Sequence, residues 1–478
     1  RNTLYLTLSQ AVTVPLAVLV NALTARYLGA ESFGYIYLAS TFASFGSLAV
    51  GWGHEGVLPA MVAQDRSLAG VLLGSSFAWR ASLSLIVYAV MAGICRLLHY
   101  NAELQWALAL TFLGAVLALF VAACKDTIRG FERADIPAYA HVGQQFLWAA
   151  LVVGALLLGG RMRAVLAALN VALVVVFVLV MRTLPAVGVG KLSVRQSALK
   201  SLFVGGTPFV FFSLASALQP IIDAIYLSKL GSLEAVGWFA VARRLIGVLL
   251  FPASALIGAL YPTLCRLSLE DKSEFNRVAR GSLHSVALVA IPIALGCGLY
   301  PDVAIAIFSK QAFGPAADDL RILSVFLFLV YFTMPIGTCV LAAGKQKAWS
   351  LVQCICVVVS LGLDPLLTPW FQRRFGNGGL GPCVASVVSE VVVVGCGLTM
   401  MPAGIFDARL RRTLAFALLA GLAMALAARL TSSLSPFIGA PLGVLAYAAA
   451  LYATGEIDRA HLEKIRNFVA RKRGRGAT

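Results

Sequence analysis

Eight ionisable residues stand inside or at the ends of otherwise apolar stretches, and they divide into two chemistries. Arg80, Arg243, Arg244 and Arg26 are cations; Asp223, Asp364, Glu390 and Glu55 are acids. A charge near mid-bilayer costs at least ~2.5–3.5 kcal/mol on insertion scales, so each one needs a partner or a hydrated cavity. A guanidinium stays charged and presents a planar fork that matches two phosphate oxygens. Arg80 lies about twelve residues into its stretch, too deep to reach the interface. It is expected either to line a cavity for an anionic ligand or to form an internal ion pair with Glu55. Arg243 and Arg244 are neighbours about 100° apart on a helix, so one is expected in a cavity and the other at an interface. Their spacing does not choose between them. Arg26 is foremost a helix C-terminal cation favoured by the dipole, with a cavity role second.

The acids point to coupling by a cation. Asp223 follows Pro220, and Asp364 precedes Pro365 with Ser360 one turn earlier on the same face. Ser386 stands one turn before Glu390. Carboxylates, hydroxyls and carbonyls freed by proline are hard oxygen ligands suited to Na⁺, and the same carboxylates, desolvated, would take H⁺. Pairing of each acid with a basic residue for packing is the competing expectation. No other metal and no organic cofactor is expected.

These residues must be positioned by membrane spans. Apolar stretches run over 4–26, 34–60, 68–98, 103–124, 136–160, 162–182, 202–228, 235–264, 278–300, 320–343, 348–371, 379–402, 410–431 and 434–454. Each is long enough to cross a hydrocarbon core of ~30 Å as a helix with its backbone bonds made internally. Hydrophobic residues make up 60% of the chain and charged ones 12%, against about 25% charged in soluble domains. The sequence predicts an all-α membrane protein of about fourteen spans.

With the N-terminus placed in the cytoplasm, 25 Lys and Arg fall on the cytoplasmic side and 10 on the other. This bias places both termini in the cytoplasm and explains the net charge of +17 without a nucleic-acid partner. The basic tail, 456–478, is expected either at anionic headgroups or in solvent. The nine cysteines form no spaced extracellular pair, Cys354 and Cys356 point to different faces of a helix, and all are taken as small apolar filler. There is no P-loop, HExxH or GxSxG, and no loop exceeds about 20 residues. Membrane ligases and glycosyltransferases are disfavoured, so no enzymatic activity or catalytic residue is expected.

The chain also repeats itself. Leu28-Gly29-Ala30-Glu31-Ser32-Phe33-Gly34-Tyr35 joins the first two spans, and Leu230-Gly231-Ser232-Leu233-Glu234-Ala235-Val236-Gly237-Trp238 joins the seventh and eighth. Gly130-Phe131-Glu132-Arg133 before the fifth span is echoed by Gly344-Lys345-Gln346-Lys347 before the eleventh. An offset covering six spans relates two parallel halves, an arrangement that in transporters encloses a central cavity. The expected division is an N-lobe over 1–200, a C-lobe over 201–404, two further helices over 405–455 and the tail.

The segments TARYLGAESFGYIYLAS, RGFERADIPAY, AVGWFAVARRLIGVLLFPASALIGALYPTLCRLS and GNGGLGPCVASVVSE resemble the polysaccharide-biosynthesis or oligosaccharide flippases. Those belong to the multidrug/oligosaccharidyl-lipid/polysaccharide (MOP) exporter superfamily, and the likeness covers about residues 1–402. It implies a pair of six-helix lobes in the bacterial inner membrane that move a lipid-linked oligosaccharide by alternating access. Membrane lipids, a polysaccharide polymerase and glycosyltransferases are the partners it implies. A lipid II-type flippase and a multidrug/cation antiporter are its alternatives within the superfamily, and the intramembrane arginines count against the antiporter. Lipid II flippases hold a cation between their seventh, eleventh and twelfth spans. The matching positions here are Asp223, Ser360 with Asp364, and Ser386, serine replacing both Asn and Thr; residues 369–378 look like a longer connection.

Overall fold

The computed structural model describes residues 2–133, 135–308, 310–401, 408–431 and 436–456. Among them every regular element is helical. The first half comprises α1 (Asn2–Gly51), α2 (His54–Gln64), α3 (Ala69–Leu97), α4 (Ala102–Gly130), α5 (Asp135–Leu157) and α6 (Met162–Val187). Then follow α7 (Gln196–Leu230), α8 (Leu233–Leu249), α9 (Phe251–Glu270), α10 (Lys272–Leu299), α11 (Pro301–Ala306) and α12 (Lys310–Phe313). The last five are α13 (Ala316–Ala342), α14 (Gln346–Phe375), α15 (Leu380–Met400), α16 (Ala408–Leu430) and α17 (Pro436–Ala453).

Eleven helical stretches of the described residues are long and apolar enough to cross a membrane. The first, Thr13–Gln64, has 52 residues, about twice a crossing length. It turns at Gly29, whose φ of 78° and ψ of 174° suit a residue without Cβ. Counted with this break, and with α7 and α17, the chain makes about fourteen passes. It is a multi-pass membrane protein.

Three boundaries differ from the expected spans. The second span is interrupted at Trp52 (φ 44°) and Gly53 (φ 67°), where α7 crosses so closely that a Cβ on Gly206 would lie 1.9 Å from the Trp52 carbonyl oxygen. The eighth span divides into α8 and α9 ahead of Pro252, which lacks the N–H that a continuing helix would use. Conversely, α14 runs through Pro365 and Pro369 to Phe375, so the longer connection expected over 369–378 is mostly helix. Prolines four apart put both missing donors on one face, and such a helix bends before it breaks. Residues 457–478 of the expected basic tail lie outside the described residues.

By packing, the chain falls into two compact units. Unit 1 is Arg1–Val241 with Ile305–Ala316 and Gln353–Ala385; unit 2 is Ala242–Ala304, Ala317–Val352 and Ser386–Thr478. These packing units cut across α8, α14 and α15, so they are a different division from lobes based on the duplication. A core of unit 1 gathers Leu58, Leu72, Leu73, Val121, Ile128, Val180 and Leu202 from α2, α3, α4, α6 and α7. In unit 2, Ala417, Ala420 and Gly421 on α16 let α10 approach, and Tyr447 of α17 donates to the Leu288 carbonyl at 3.0 Å. Small residues at such contacts are how helices associate where lipid removes the hydrophobic drive.

The two duplicated hairpins lock onto each other within unit 1. A Cβ on Gly34 would lie 2.2 Å from the Leu233 carbonyl oxygen, and one on Gly237 would lie 2.1 Å from that of Ala30. One offset relates Gly34 to Gly237, Ala30 to Leu233 and Arg26 to Lys229, so the contact is reciprocal. The two cations behave alike. Arg26 donates through Nε to the Phe308 carbonyl at 2.6 Å and through Nη2 to that of Ala306 at 2.9 Å, at and just after the end of α11. Lys229 donates to the Leu98 carbonyl after α3 and lies 3.6 Å from the Tyr100 ring centroid. Arg26 therefore serves a helix end other than its own. Arg26→Ala and Lys229→Ala are each expected to lower stability by about 1–3 kcal/mol through carbonyls left without a charged donor. Thermal unfolding in detergent measures this, and a double variant no worse than wild type would dismiss the lock.

Candidate functional site

Asp223 and Asp364, both in unit 1, are completely buried, as are Ser360 and Thr368. Ser360, Asp364, Thr368 and Gln372 recur every four residues and so form one row along α14. The row faces close neighbours: a Cβ on Gly381 of α15 would lie 2.8 Å from Thr368 Oγ1. Gln372 Oε1 accepts from the Gly378 backbone N–H at 2.8 Å and would lie 3.6 Å from a Cβ on Gly231, the residue that ends α7. Leu227 reaches the same place, since its Cδ1 would be 3.3 Å from a Cβ on Gly378.

That contact fixes the register of the two acids. Asp223 lies eight residues before Gly231, and Asp364 eight before Gln372. At 1.5 Å per residue both carboxylates are about 12 Å along their helices from the contact, at matching depth. Pro365 has no N–H to give, so the Leu361 carbonyl loses its helical donor beside Asp364. Ser360 Oγ and Thr368 Oγ1 have no hydrogen-bond partner among the described residues. Ser360, Asp364, Thr368 and the Leu361 carbonyl thus put oxygen atoms on one stretch of α14, with Asp223 at matching depth on α7; oxygen donors of this kind suit a hard monovalent cation or a proton.

A second polar group lies in unit 2. Arg243 donates through Nη2 to Ser386 Oγ at 3.1 Å and has its guanidinium 5.0 Å from the Phe326 ring centroid. Glu390 is beside Thr333, whose hydroxyl donates to the Leu329 carbonyl at 3.3 Å, and is within electrostatic reach of Arg243. Ser386, expected beside Asp223 and Asp364, thus has Arg243 as its hydrogen-bond partner, and it belongs to the other unit. The expected cavity cation Arg243 and the expected coupling residues Ser386 and Glu390 are brought together. Arg244, next to Arg243 in sequence, is half-buried.

Arg80 has no exposed surface. Its Nη1 donates to the Leu119 carbonyl of α4, and Glu55 and Asp126 are the acids that act on it. Asp126 in turn accepts from Arg129 at 2.9 Å. Arg80 Nε and Nη2 have no hydrogen-bond partner among the described residues. His54 is within electrostatic reach of Arg80 and lies 6.1 Å from the Trp79 ring; the Trp52 ring stacks on Phe203 at 4.9 Å and lies 5.8 Å from Trp79. His54 Nδ1 is 3.0 Å from Ser76 Oγ. Glu55 is exposed in the first turn of α2.

Asp126, Thr333, Thr368 and Gln372 were not singled out from the sequence. Thr368 and Gln372 extend the Ser360–Asp364 period and could have been found by it. The i,i+3 pair Asp126–Arg129 was also legible; Thr333 carries no signal beyond being polar in an apolar span.

A family model described as polysaccharide biosynthesis protein matches residues 1–268, more than half of the chain. The chain belongs to this family. No curated protein matches it. Among solved structures it is similar to one described as the lipid II flippase MurJ in an inward closed conformation, with a TM-score of 0.74 at 14% identity over 95% of this chain and 99% of that one. It is also similar to an inward-facing multidrug resistance MATE family transporter of the MOP superfamily, with a TM-score of 0.67 at 16% identity over 86% and 99% of the chains. A third, an outward-facing multidrug resistance MATE family transporter of the same superfamily, gives 0.56 at 17% identity over 86% and 96%. The fold is shared with these structures, and the family is the one to which the sequence resemblance had pointed.

Proposed function

We propose that this member of the polysaccharide biosynthesis family is an alternating-access flippase. Its cargo is a polyprenyl-diphosphate-linked oligosaccharide, an O-antigen or exopolysaccharide repeat unit, moved from the cytoplasmic to the outer leaflet of the inner membrane. Both termini are cytoplasmic, and lobes over 1–200 and 201–404 alternate access. The observation that carries this reading is the family match on a chain folded like a lipid II flippase.

The side chains support a division of labour. The diphosphate competes with Glu390 for Arg243, which links cargo binding to a carboxylate able to take a proton. Arg80, with two donors that have no partner among the described residues, offers a second anion contact once water reaches it. Asp223 and Asp364, with Ser360 and Thr368, hold the Na⁺ or H⁺ whose inward movement resets the cycle. No catalytic group is required, because no bond is made or broken.

The test is complementation of a flippase-deficient strain together with flipping of a polyprenyl-diphosphate oligosaccharide in reconstituted vesicles. Wild type is expected to restore both, and Arg243→Ala and Arg80→Ala to reduce the rate at least about tenfold by removing charge-assisted bonds to the diphosphate. Export of cationic drugs with no flipping would replace the reading by the antiporter one. Full flipping in Arg80→Ala would remove Arg80 from it.

A further inference from the structure

Three residues of unit 1 carry buried nitrogens with no hydrogen-bond partner among the described residues: Arg80 at Nε and Nη2, His54 at Nε2 and Trp79 at Nε1. They are neighbours in space. Ser76 and Arg80 stand one turn apart on α3, and His54 Nδ1 is 3.0 Å from Ser76 Oγ. The His54 ring centroid is 6.1 Å from that of Trp79, and Arg80 is the charge that acts on His54. Helix α2 begins at His54 with no side chain capping it, so the positive end of its dipole is at the same place.

All four atoms are donors. Guanidinium and indole nitrogens can only donate. The Ser76 hydroxyl has no other partner among the described residues, so its proton goes to His54 Nδ1 and the ring proton is on Nε2. The nearby acids leave these donors unanswered. Glu55 and Asp126 act on Arg80 through space, but Glu55 is exposed and Asp126 accepts from Arg129 at 2.9 Å. Neither forms an ion pair with Arg80 among the described residues. Lys125, next to Asp126, is a further cation and donates to Gln144 Oε1 at 3.0 Å.

A buried guanidinium has lost its water and needs a counter-charge or acceptors in return. A water molecule accepting two of these bonds would still have two hydrogens to place, whereas an anion only accepts. Arg80 has no exposed surface and His54 has 1%, so the enclosure favours a single small sphere over an oxyanion of several heavy atoms. We infer that Arg80, His54 and Trp79 bind a halide such as chloride inside unit 1. The site uses the donors of Arg80 that the proposed function offers to the diphosphate, and so deepens that reading: chloride satisfies the guanidinium until the diphosphate displaces it. The exchange rests on the flippase reading; the binding does not.

The test is the thermal midpoint of the purified, cargo-free full chain in detergent, titrated with sodium chloride against sodium gluconate at constant ionic strength. Wild type is expected to gain stability with chloride and to saturate, as binding to the folded state requires, and bromide is expected to act alike. R80M keeps the bulk of the side chain without its donors and is expected to abolish the dependence. H54F is expected to raise the half-maximal chloride concentration at least about tenfold, and it decides the matter should R80M fold poorly. R373Q/R374Q, which removes exposed charge from the end of α14, is expected to behave as wild type. Equal midpoints in chloride and gluconate would overturn the site, as would a wild-type chloride response in H54F. An equal loss in R373Q/R374Q would also overturn it, because diffuse charge would then explain the effect. With no cargo present the outcome is separate from flipping: chloride binding by a chain that moves no lipid-linked sugar would keep the site and remove the exchange.

Discussion

Asp364→Asn is expected to abolish coupled transport while the protein still folds and inserts. Asn keeps the volume of a side chain that has no exposed surface, so the packing of α14 survives and only the charge is lost. In the proposed cation site the row Ser360–Asp364–Thr368 needs the carboxylate at its centre, because its other groups are neutral. One elementary charge crossing the membrane is worth ~2.3 kcal/mol per 100 mV, so removing one coupled charge lowers the drive roughly fifty-fold at that potential. Asp223→Asn, at matching depth on α7, is expected to do the same. If the two acids act as one site, the double variant will be no worse than either single one. Flipping in vesicles under an imposed gradient measures all three. Wild-type rates in Asp364→Asn would refute the cation site, although transport of the lipid-linked cargo could still stand.

Gly237→Val should cause a large loss of stability for a change at a single small residue. Its Cβ would lie 2.1 Å from the Ala30 carbonyl oxygen, and the obstacle is backbone, so the hairpins themselves must part. Gly34→Val meets the Leu233 carbonyl oxygen in the same way, at 2.2 Å. Overpacking of this kind costs about 1–3 kcal/mol or more. Gly247→Ala and Gly258→Ala serve as controls, because a Cβ at either position would meet nothing within 4 Å. Thermal unfolding in detergent should separate the two pairs clearly. Equal midpoints for Gly237→Val and Gly258→Ala would show that the hairpin contact is not tight.

The hairpins also show how far the residues alone could lead. Their shared Leu-Gly stop and following Gly announced a duplication, because identical turn chemistry recurred after six spans. That the two glycines meet each other's neighbours could not be foreseen, since close approach depends on where the halves dock. Arg26 makes the same point. A cation after a helix suggests its own C-terminus, yet the guanidinium serves the carbonyls of Ala306 and Phe308, some 280 residues away in the chain.

Spans, their apolar lengths and the positions of charged interruptions follow from sequence alone, because a hydrocarbon core tolerates only helices of crossing length with their polar atoms satisfied. The same constraint marked Arg80, Asp223, Arg243, Asp364 and Glu390 as residues needing company. Which company each one keeps was decided by tertiary structure. Ser386 is bonded to Arg243, Glu390 stands beside Thr333, and Arg80 is bonded to the Leu119 carbonyl with Asp126 nearby. Pairings of this kind join residues far apart in the chain, and only helix packing brings their side chains within the few ångströms at which hydrogen bonds form.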